Sequence, residues 1–408
     1  MHAKLFETAL GITDPWRVAG VDFDAAGQVL TITVDFVAGS RFTLAGVAGA
    51  HSVHETLAKR YRHLNFFQHE CYLEVRVPRV RLPDGGIRQV EPDWAGKLSG
   101  FTLLFEALVM ALCREMPFAA VARIVNLSWH RVAAICMRYV DLALDQADFS
   151  EVKRLAADET SRARGHDYIT LVADADERRV LFVTEGRDAA TIEAFADDLK
   201  AHGGDPLAIE SISIDMSPAF IKGVTANLPN ATITFDKFHV IAHASTAVDK
   251  MRRIEQRTDP SLKGVRWKLL RDRDALGPAD RAELDRLVAQ VATKRTARAW
   301  LYKEQLRETL DRKQINVVRA MLWQRTVNVM RSKGEPMKAV AKMIRKHLEG
   351  IVAWTRTRQT NGFLEAMNGL FQAAKRKARG YASFSTIRAV VFVVAGKLNF
   401  EKLNQHAA

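Results

Sequence analysis

Apolar and polar residues alternate along Val29–Phe36, with Leu30, Ile32, Val34 and Phe36 on one face and Val29, Thr31, Thr33 and Asp35 on the other. That period predicts a half-buried strand, entered through the turn residue Gly27. Residues 71–82 (CYLEVRVPRVRL) alternate in the same way and run into the turn Pro83, Asp84, Gly85, Gly86. Residues 1–96 therefore read as a β-rich module. Beyond residue 97 the period becomes helical. The most apolar helix, 101–113, is interrupted by Glu106, so it is read as buried in protein and not in lipid. Pro117 opens a helix with Phe118, Val121, Ile124 and Val125 on one face. After the short turn Asn126, Leu127, Ser128, a second helix is capped by Ser128 and carries Val132, Ile135, Cys136 and Tyr139 at helical spacing. The pattern fits a helix-turn-helix or an ordinary helical hairpin. As a helix-turn-helix it would offer Trp129, His130 and Arg131 to a DNA groove.

Between 151 and 240 the signals mix. Strands are expected at 152–157, 168–172, 180–183, 209–214 and 231–235, with helices at 189–202 and near 218–228. Residues 241–350 are charged and helical throughout, and 281–310 reads as one long helix with the apolar stripe Leu284, Leu287, Val288 and Val291. Trp267, Trp300, Trp323 and Trp354 lie in or beside this stretch, where buried packing is favoured over stacking on a base.

At 408 residues the chain has room for two to four domains. Its net charge of +13 favours a polyanionic partner, although charge speaks to association and not to fold. Cys71, Cys113 and Cys136 are far apart and form no CxxC pair, which suggests neither a disulfide framework nor a cysteine zinc site and fits a reducing cytoplasm. The first residues, MHAKLFETALGITDPW, lack a charged-then-apolar leader, and no membrane segment is expected.

Three carboxylates stand in contexts that a divided nuclease site would need. Asp158 is expected at the end of one strand and Asp215 follows another. Glu365 lies early on a helix that turns basic at Lys375, Arg376, Lys377 and Arg379. Converging carboxylates that hold divalent metal, with basic residues to hold phosphate, point to metal-assisted phosphoryl transfer on nucleic acid. Taken singly, each aspartate is equally an ordinary turn or cap residue, and Glu159 replaces Asp158 if the strand register is one residue off. Arg162 and Arg164 are either phosphate contacts or surface ion-pair partners. His239 is at least as well explained by a structural role.

The segments DETSRARGHDYITLV, SIDMSPAF, FDKFHV and NGFLEAMNGLFQAAKRKARGY, with RHLNFFQHECYLEVRVPRVR and SGFTLLFEALVMALCREMPF upstream, resemble the ISL-three family of bacterial insertion-sequence transposases over nearly the whole chain. The resemblance implies a DDE catalytic domain of RNase H-like fold with its acids at Asp158, Asp215 and Glu365. The expected architecture is multidomain α+β. It has a β-rich, zinc-ribbon-like end-binding module (1–96), a helix-turn-helix (97–150), a catalytic core in two parts (151–240 and 351–408) and an α-helical insertion between them (241–350). Family members carry cysteine zinc ligands in the first module. Here Leu44, Val47, Leu82 and Gly85 occupy the corresponding places, so no structural zinc is expected and the three apolar residues would extend a small core. The implied activity is binding of insertion-sequence ends followed by Mg²⁺- or Mn²⁺-dependent cleavage and strand transfer. Its partners would be the element's double-stranded ends, target DNA and further copies of the chain. The alternative is an inactive, transposase-derived DNA-binding protein.

Overall fold

A computed structural model describes residues 2–163, 167–290, 294–378, 380–381 and 383–407. The chain forms two compact units, one of residues 1–147 and 371–408, the other of residues 148–370.

The first unit opens with helix α1 (His2–Leu10) and strands β1 (Trp16–Asp24), β2 (Val29–Phe36), β3 (Arg41–Leu44), β4 (Val47–Phe66), β5 (His69–Arg81) and β6 (Ile87–Gln89). They make a six-stranded sheet ordered β1-β2-β5-β4-β3, with β6 also paired to β5. In β2, Leu30, Ile32 and Val34 are buried, as the alternation predicts, and they share a core with Leu73, Val75 and Val77 of β5. The sheet is larger than the two strands legible in the sequence. The 20-residue β4 is mostly exposed and polar, with no clear apolar alternation, and so it escaped detection. At the places where zinc ligands would stand, Leu82 is buried with Phe42, Val80 and Val90, and Leu44 and Val47 pack against that cluster. Gly85 takes the positive φ of 84° that its turn demands, and the Asp84 carboxylate accepts from the Gly86 amide at 2.8 Å.

Helices α2 (Leu103–Glu115), α3 (Phe118–Val125) and α4 (Trp129–Leu144) follow. The α3–α4 turn forms for the reasons its sequence suggests. Asn126 ends α3 in the left-handed conformation, and the Ser128 hydroxyl accepts from the Arg131 amide at 3.4 Å. Trp129 is 40% exposed at the start of α4, with its ring 3.9 Å from that of His130. Arg131 lies over the Phe101 ring at 4.4 Å and donates to the Ser99 carbonyl at 3.3 Å. Glu106, the residue that breaks the apolar run of α2, is fully buried. Its carboxylate accepts from the Lys97 and Leu98 amides and from the Tyr139 hydroxyl at 2.7–2.8 Å. Asn404, near the chain's end, donates to the same hydroxyl at 2.8 Å and to the Leu103 carbonyl at 2.7 Å.

The second unit is built on β7 (Arg154–Ala163), β8 (Asp167–Asp174), β9 (Arg179–Glu185), α5 (Ala189–Ala201), β10 (Ser211–Ile214), α6 (Pro218–Asn227) and β11 (Thr232–Phe235). Its five strands are ordered β11-β10-β7-β8-β9, the first three mutually parallel and β7, β8 and β9 antiparallel. This is the RNase H-like arrangement that the family resemblance implied.

The helical part consists of α7 (Lys237–Glu255), α8 (Arg266–Leu270), α9 (Pro278–Val288), α10 (Arg295–Asp311), α11 (Ile315–Met330), α12 (Glu335–Lys346) and α13 (Leu348–Thr357). The single helix expected over 281–310 is therefore two, α9 and α10, and Val291 of the expected stripe lies outside the described residues. Good helix formers run through 281–290 without a Gly or Pro to announce the end of α9, which is why propensity alone joined the two. Trp300 and Trp354 are buried as expected, whereas Trp267 and Trp323 are 61% and 52% exposed beneath the guanidinium groups of Arg266 and Arg345. Helix α14 (Gly362–Lys377) carries the chain across the boundary between units, and α15 (Phe384–Ala395) packs on α4 in the first unit, with Arg388 paired to Asp141 at 2.7 Å. No helix among the described residues is long and apolar enough to cross a membrane.

Replacing Glu106 with Ala leaves the buried Tyr139 hydroxyl and the part-buried Lys97 and Leu98 amides without their acceptor. We expect a loss of about 3 kcal/mol or more, seen as a fall of about 100-fold in hydrogen-exchange protection across α2 and α4.

Candidate active site

Parallel pairing sets the site's geometry. Ala156 of β7 lies opposite Ser213 of β10, and two residues further along come Asp158 in β7 and Asp215 just past β10, near enough for the Asp215 charge to act on Asp158. The expected strand end at Asp158 is corrected: β7 continues to Ala163, so Asp158 lies inside the strand, opposite Leu171 of β8. Asp215 stands just beyond β10 and accepts from the Ser217 amide at 2.9 Å. The next strand repeats the theme, because Ile214 pairs with Phe235 and Asp236 follows immediately. Asp236 is fully buried, however, and both its oxygens are taken, one by the Phe238 amide at 2.8 Å and one by the Asn361 amide at 2.7 Å.

That last bond begins a set of buried ties that mount α14 on the sheet. The Asn361 side chain donates to the Ala157 carbonyl at 3.1 Å. Gln359 donates to the Leu155 carbonyl and accepts from the Ser211 hydroxyl at 2.9 Å. Asn361 thus stands at the cap position of α14, as its sequence suggests, with its amide spent on β7. Four residues on comes Glu365, and one turn later Asn368 donates to Asp158 at 2.8 Å. The side of α14 that carries Glu365 is thereby turned to Asp158. His239, near the start of α7, brings its Nε2 to 3.6 Å from the Glu365 carboxylate, and that nitrogen is buried without a hydrogen-bond partner among the described residues.

The electrostatics reflect this convergence. Burial pushes the Asp158 carboxyl up to about 6, with the charges of Asp215 and Glu365 acting in the same direction against the Glu159 amide and His239. Glu159 is raised as well, first by burial and then by Asp215 and Asp158, and one of its oxygens is buried without a partner. Among the described residues, no three His, Cys, Asp or Glu side chains form a ready-made cage for one ion.

The expected basic contacts divide. Arg162 is engaged by Asp167 at 2.8 Å and by Glu185, the ion-pair arrangement. Arg164 and Arg379 lie outside the described residues, while Lys375, Arg376 and Lys377 form the last turn of α14. Asp236 and Gln359 were not singled out by their types. The trace they leave in the sequence is the polar series Asn361, Glu365, Asn368, which shares one helical face.

A family model described as "Transposase" matches residues 155–391, more than half of the chain, and includes all three carboxylates. The chain belongs to the ISL3 family of transposases. A second model, "Helix-turn-helix domain of transposase family ISL3", matches residues 90–140, which include α2, α3 and most of α4. This ISL3 member is 29% identical to the transposase for insertion sequence element IS1001 of Bordetella parapertussis, over 93% of this chain and 95% of that one. It is 28% identical to the transposase for IS1557 of Mycobacterium tuberculosis strain H37Rv, over 80% and 79% of the two chains.

A carboxylate whose folded pKa is raised binds a proton in the native state that the unfolded chain has already released. Stability then falls as pH rises from about 4 to about 6 and stays reduced above that. In metal-free protein, Asp158→Asn is expected to stabilise the second unit at pH 7.5 by about 1–3 kcal/mol and to have little effect at pH 4, as read from thermal midpoints across that range.

Proposed function

We propose that this ISL3-family chain cleaves DNA at the ends of its insertion sequence and joins the freed 3′-hydroxyl to target DNA, with Asp158, Asp215 and Glu365 as metal ligands. The observation that carries the reading is the nearness of Asp158 in β7 to Asp215 just past the end of the parallel strand β10, with Asn368 bonding the Glu365 helix to Asp158 at 2.8 Å. Three acids near one another, with the Asp158 carboxyl raised by burial to about 6, make a site short of positive charge. Their hard oxygen donors suit Mg²⁺ or Mn²⁺, which takes one or two carboxylates and fills its shell with water and phosphate oxygen, so a three-ligand cage need not exist before DNA arrives. When bound, such ions supply activation of the attacking oxygen and stabilisation of the leaving one.

The chain's own groups do the rest. Asp236, Gln359 and Asn361 fix α14 over the strands so that Glu365 meets the two aspartates with little rearrangement. Asn368 donates to one oxygen of Asp158 and the Glu159 amide to the other, which together orient the carboxylate. His239 sits beside Glu365, its Nε2 at 3.6 Å from the carboxylate. In the first step, water attacks the phosphodiester at the element's end, the P–O bond to the 3′-oxygen breaks, and that oxygen leaves as the 3′-hydroxyl. In the second, this hydroxyl attacks a target phosphodiester and displaces the target's own 3′-oxygen. No covalent protein intermediate is required. The helix-turn-helix, with Trp129, His130 and Arg131 at the start of α4, would read the ends. Lys375, Arg376 and Lys377 would hold phosphate.

The test is an assay of cleavage and joining on duplexes carrying the element's own ends, with Mg²⁺, Mn²⁺ or chelator. Asp158→Asn, Asp215→Asn and Glu365→Gln should each abolish cleavage while end binding persists. Near-normal metal-dependent cleavage by any one of them removes that residue from the set. End binding without cleavage under every metal condition would favour the inactive DNA-binding alternative. Asn361→Ala, which loosens the mount without touching a ligand, should slow cleavage by about 10–100-fold and raise the metal concentration needed for half-maximal rate.

A further inference from the structure

The helical insertion neutralises much of its positive charge internally. Asp249 engages Arg252, Arg253 and Arg266, Asp285 engages Arg273, and Asp280 and Glu283 share Lys268. One concavity departs from this. At the start of α10, the end of α11 and the turn into α12, a pocket of about 360 Å³ is lined by Arg295, Arg298, Arg331 and Lys333, with the hydroxyls of Tyr302 and Ser332 among them. No carboxylate belongs to its lining. Among the described residues, the side chains of Arg295, Arg331 and Lys333 make no ion pair, and all three residues are exposed at the pocket's mouth. The first amides of α10 are already spent, because Glu255 accepts from Arg295 and Thr296 at 2.8 and 2.7 Å. Attraction into this pocket is therefore the work of side chains and not of a helix end.

Arg295, Arg331 and Lys333 around one cavity repel one another, and no acid in the lining relieves that, so an anion from outside is attracted there. Arginine forks, a lysine and hydroxyl donors match the oxygens of a phosphodiester. The exposed rim suits a polymer that passes over the pocket, whereas a small phosphate ligand is usually enclosed and gripped by backbone amides. We propose that this pocket holds phosphate groups of the DNA backbone, as a contact of the insertion made by residues other than the three carboxylates and the helix-turn-helix. The proposal rests on the DNA-handling reading above.

The experiment measures binding of the full chain to duplex carrying the element's ends, by fluorescence anisotropy in chelator over a series of salt concentrations. Arg331→Ala with Lys333→Ala should weaken binding about 10-fold or more at low salt and flatten the slope of log affinity against log salt by about 1–2. Lys222→Ala with Lys263→Ala, two exposed cations outside the pocket, serves as the charge-matched control and should change affinity less than about 2-fold. Arg331→Gln with Lys333→Gln repeats the test with longer side chains, and unchanged thermal midpoints show that folding is intact. Wild-type affinity and slope in both pocket pairs overturn the proposal. Equal losses in pocket and control pairs also overturn it, because they reflect net charge alone. Saturable binding of inorganic pyrophosphate, lost in the pocket variants while duplex affinity is unchanged, makes the pocket a small-anion site and overturns it as well. A wild-type chain that binds no duplex overturns both this contact and the proposed function. Loss of cleavage with binding intact bears on the carboxylates and leaves the contact standing.

Discussion

Carboxylates brought together without a counter-charge push one another apart, and a helix carrying one of them has to be held by bonds stronger than that repulsion. Here the holding is done by neutral amides and one buried aspartate whose two oxygens are both taken by backbone amides. Asp236 grips the backbone of Asn361 across 125 residues of sequence, and Asn361 and Gln359 reach carbonyls of β7 that lie 204 residues away. Such bonds are worth most where water is excluded, and Asp236, Gln359 and Asn361 are all buried. The raised Asp158 carboxyl shows the strain side of the same arrangement: the fold accepts an unfavourable charge there.

The ties also explain how the core accommodates a helical insertion between β11 and α14. Loop closure costs grow only slowly with length, so the length of the intervening helices matters less than whether their two ends are pinned. Asp236 and Asn361 are those ends, bonded directly to each other. The helices between them can then be elaborated with their own charge pairs and pockets without shifting Glu365 relative to the strands.

Local chemistry was legible in the sequence wherever the decisive interactions were local. Asn126 and Ser128 announced the α3–α4 turn, Leu30, Ile32 and Val34 announced β2, and the periodicities after residue 150 announced the strands and helices of the second unit, whose order in the sheet followed from the family resemblance. The apolar residues at positions 44, 47 and 82 were rightly read as core, since hydrophobic side chains have few other uses in a small sheet. What failed were features fixed by distant partners. β4 has little apolar alternation because it is held by pairing to β5 and β3, not by a buried face of its own. The break between α9 and α10 has no Gly or Pro to mark it. Gln359 and Asp236 are common polar residues until the sheet beneath them is known.

Residues from both ends of the sequence complete the first unit. Its core receives α15 against α4, and Asn404 supplies the donor that completes the Tyr139 and Glu106 network. Synthesis proceeds from the N-terminus, so these pieces leave the ribosome after the whole of the second unit. The helix-turn-helix is therefore the part of the molecule that waits, its packing unfinished while the carboxylate-bearing sheet already has every residue it needs. A chain interrupted late in translation would carry an intact acidic site and an unfinished helix-turn-helix.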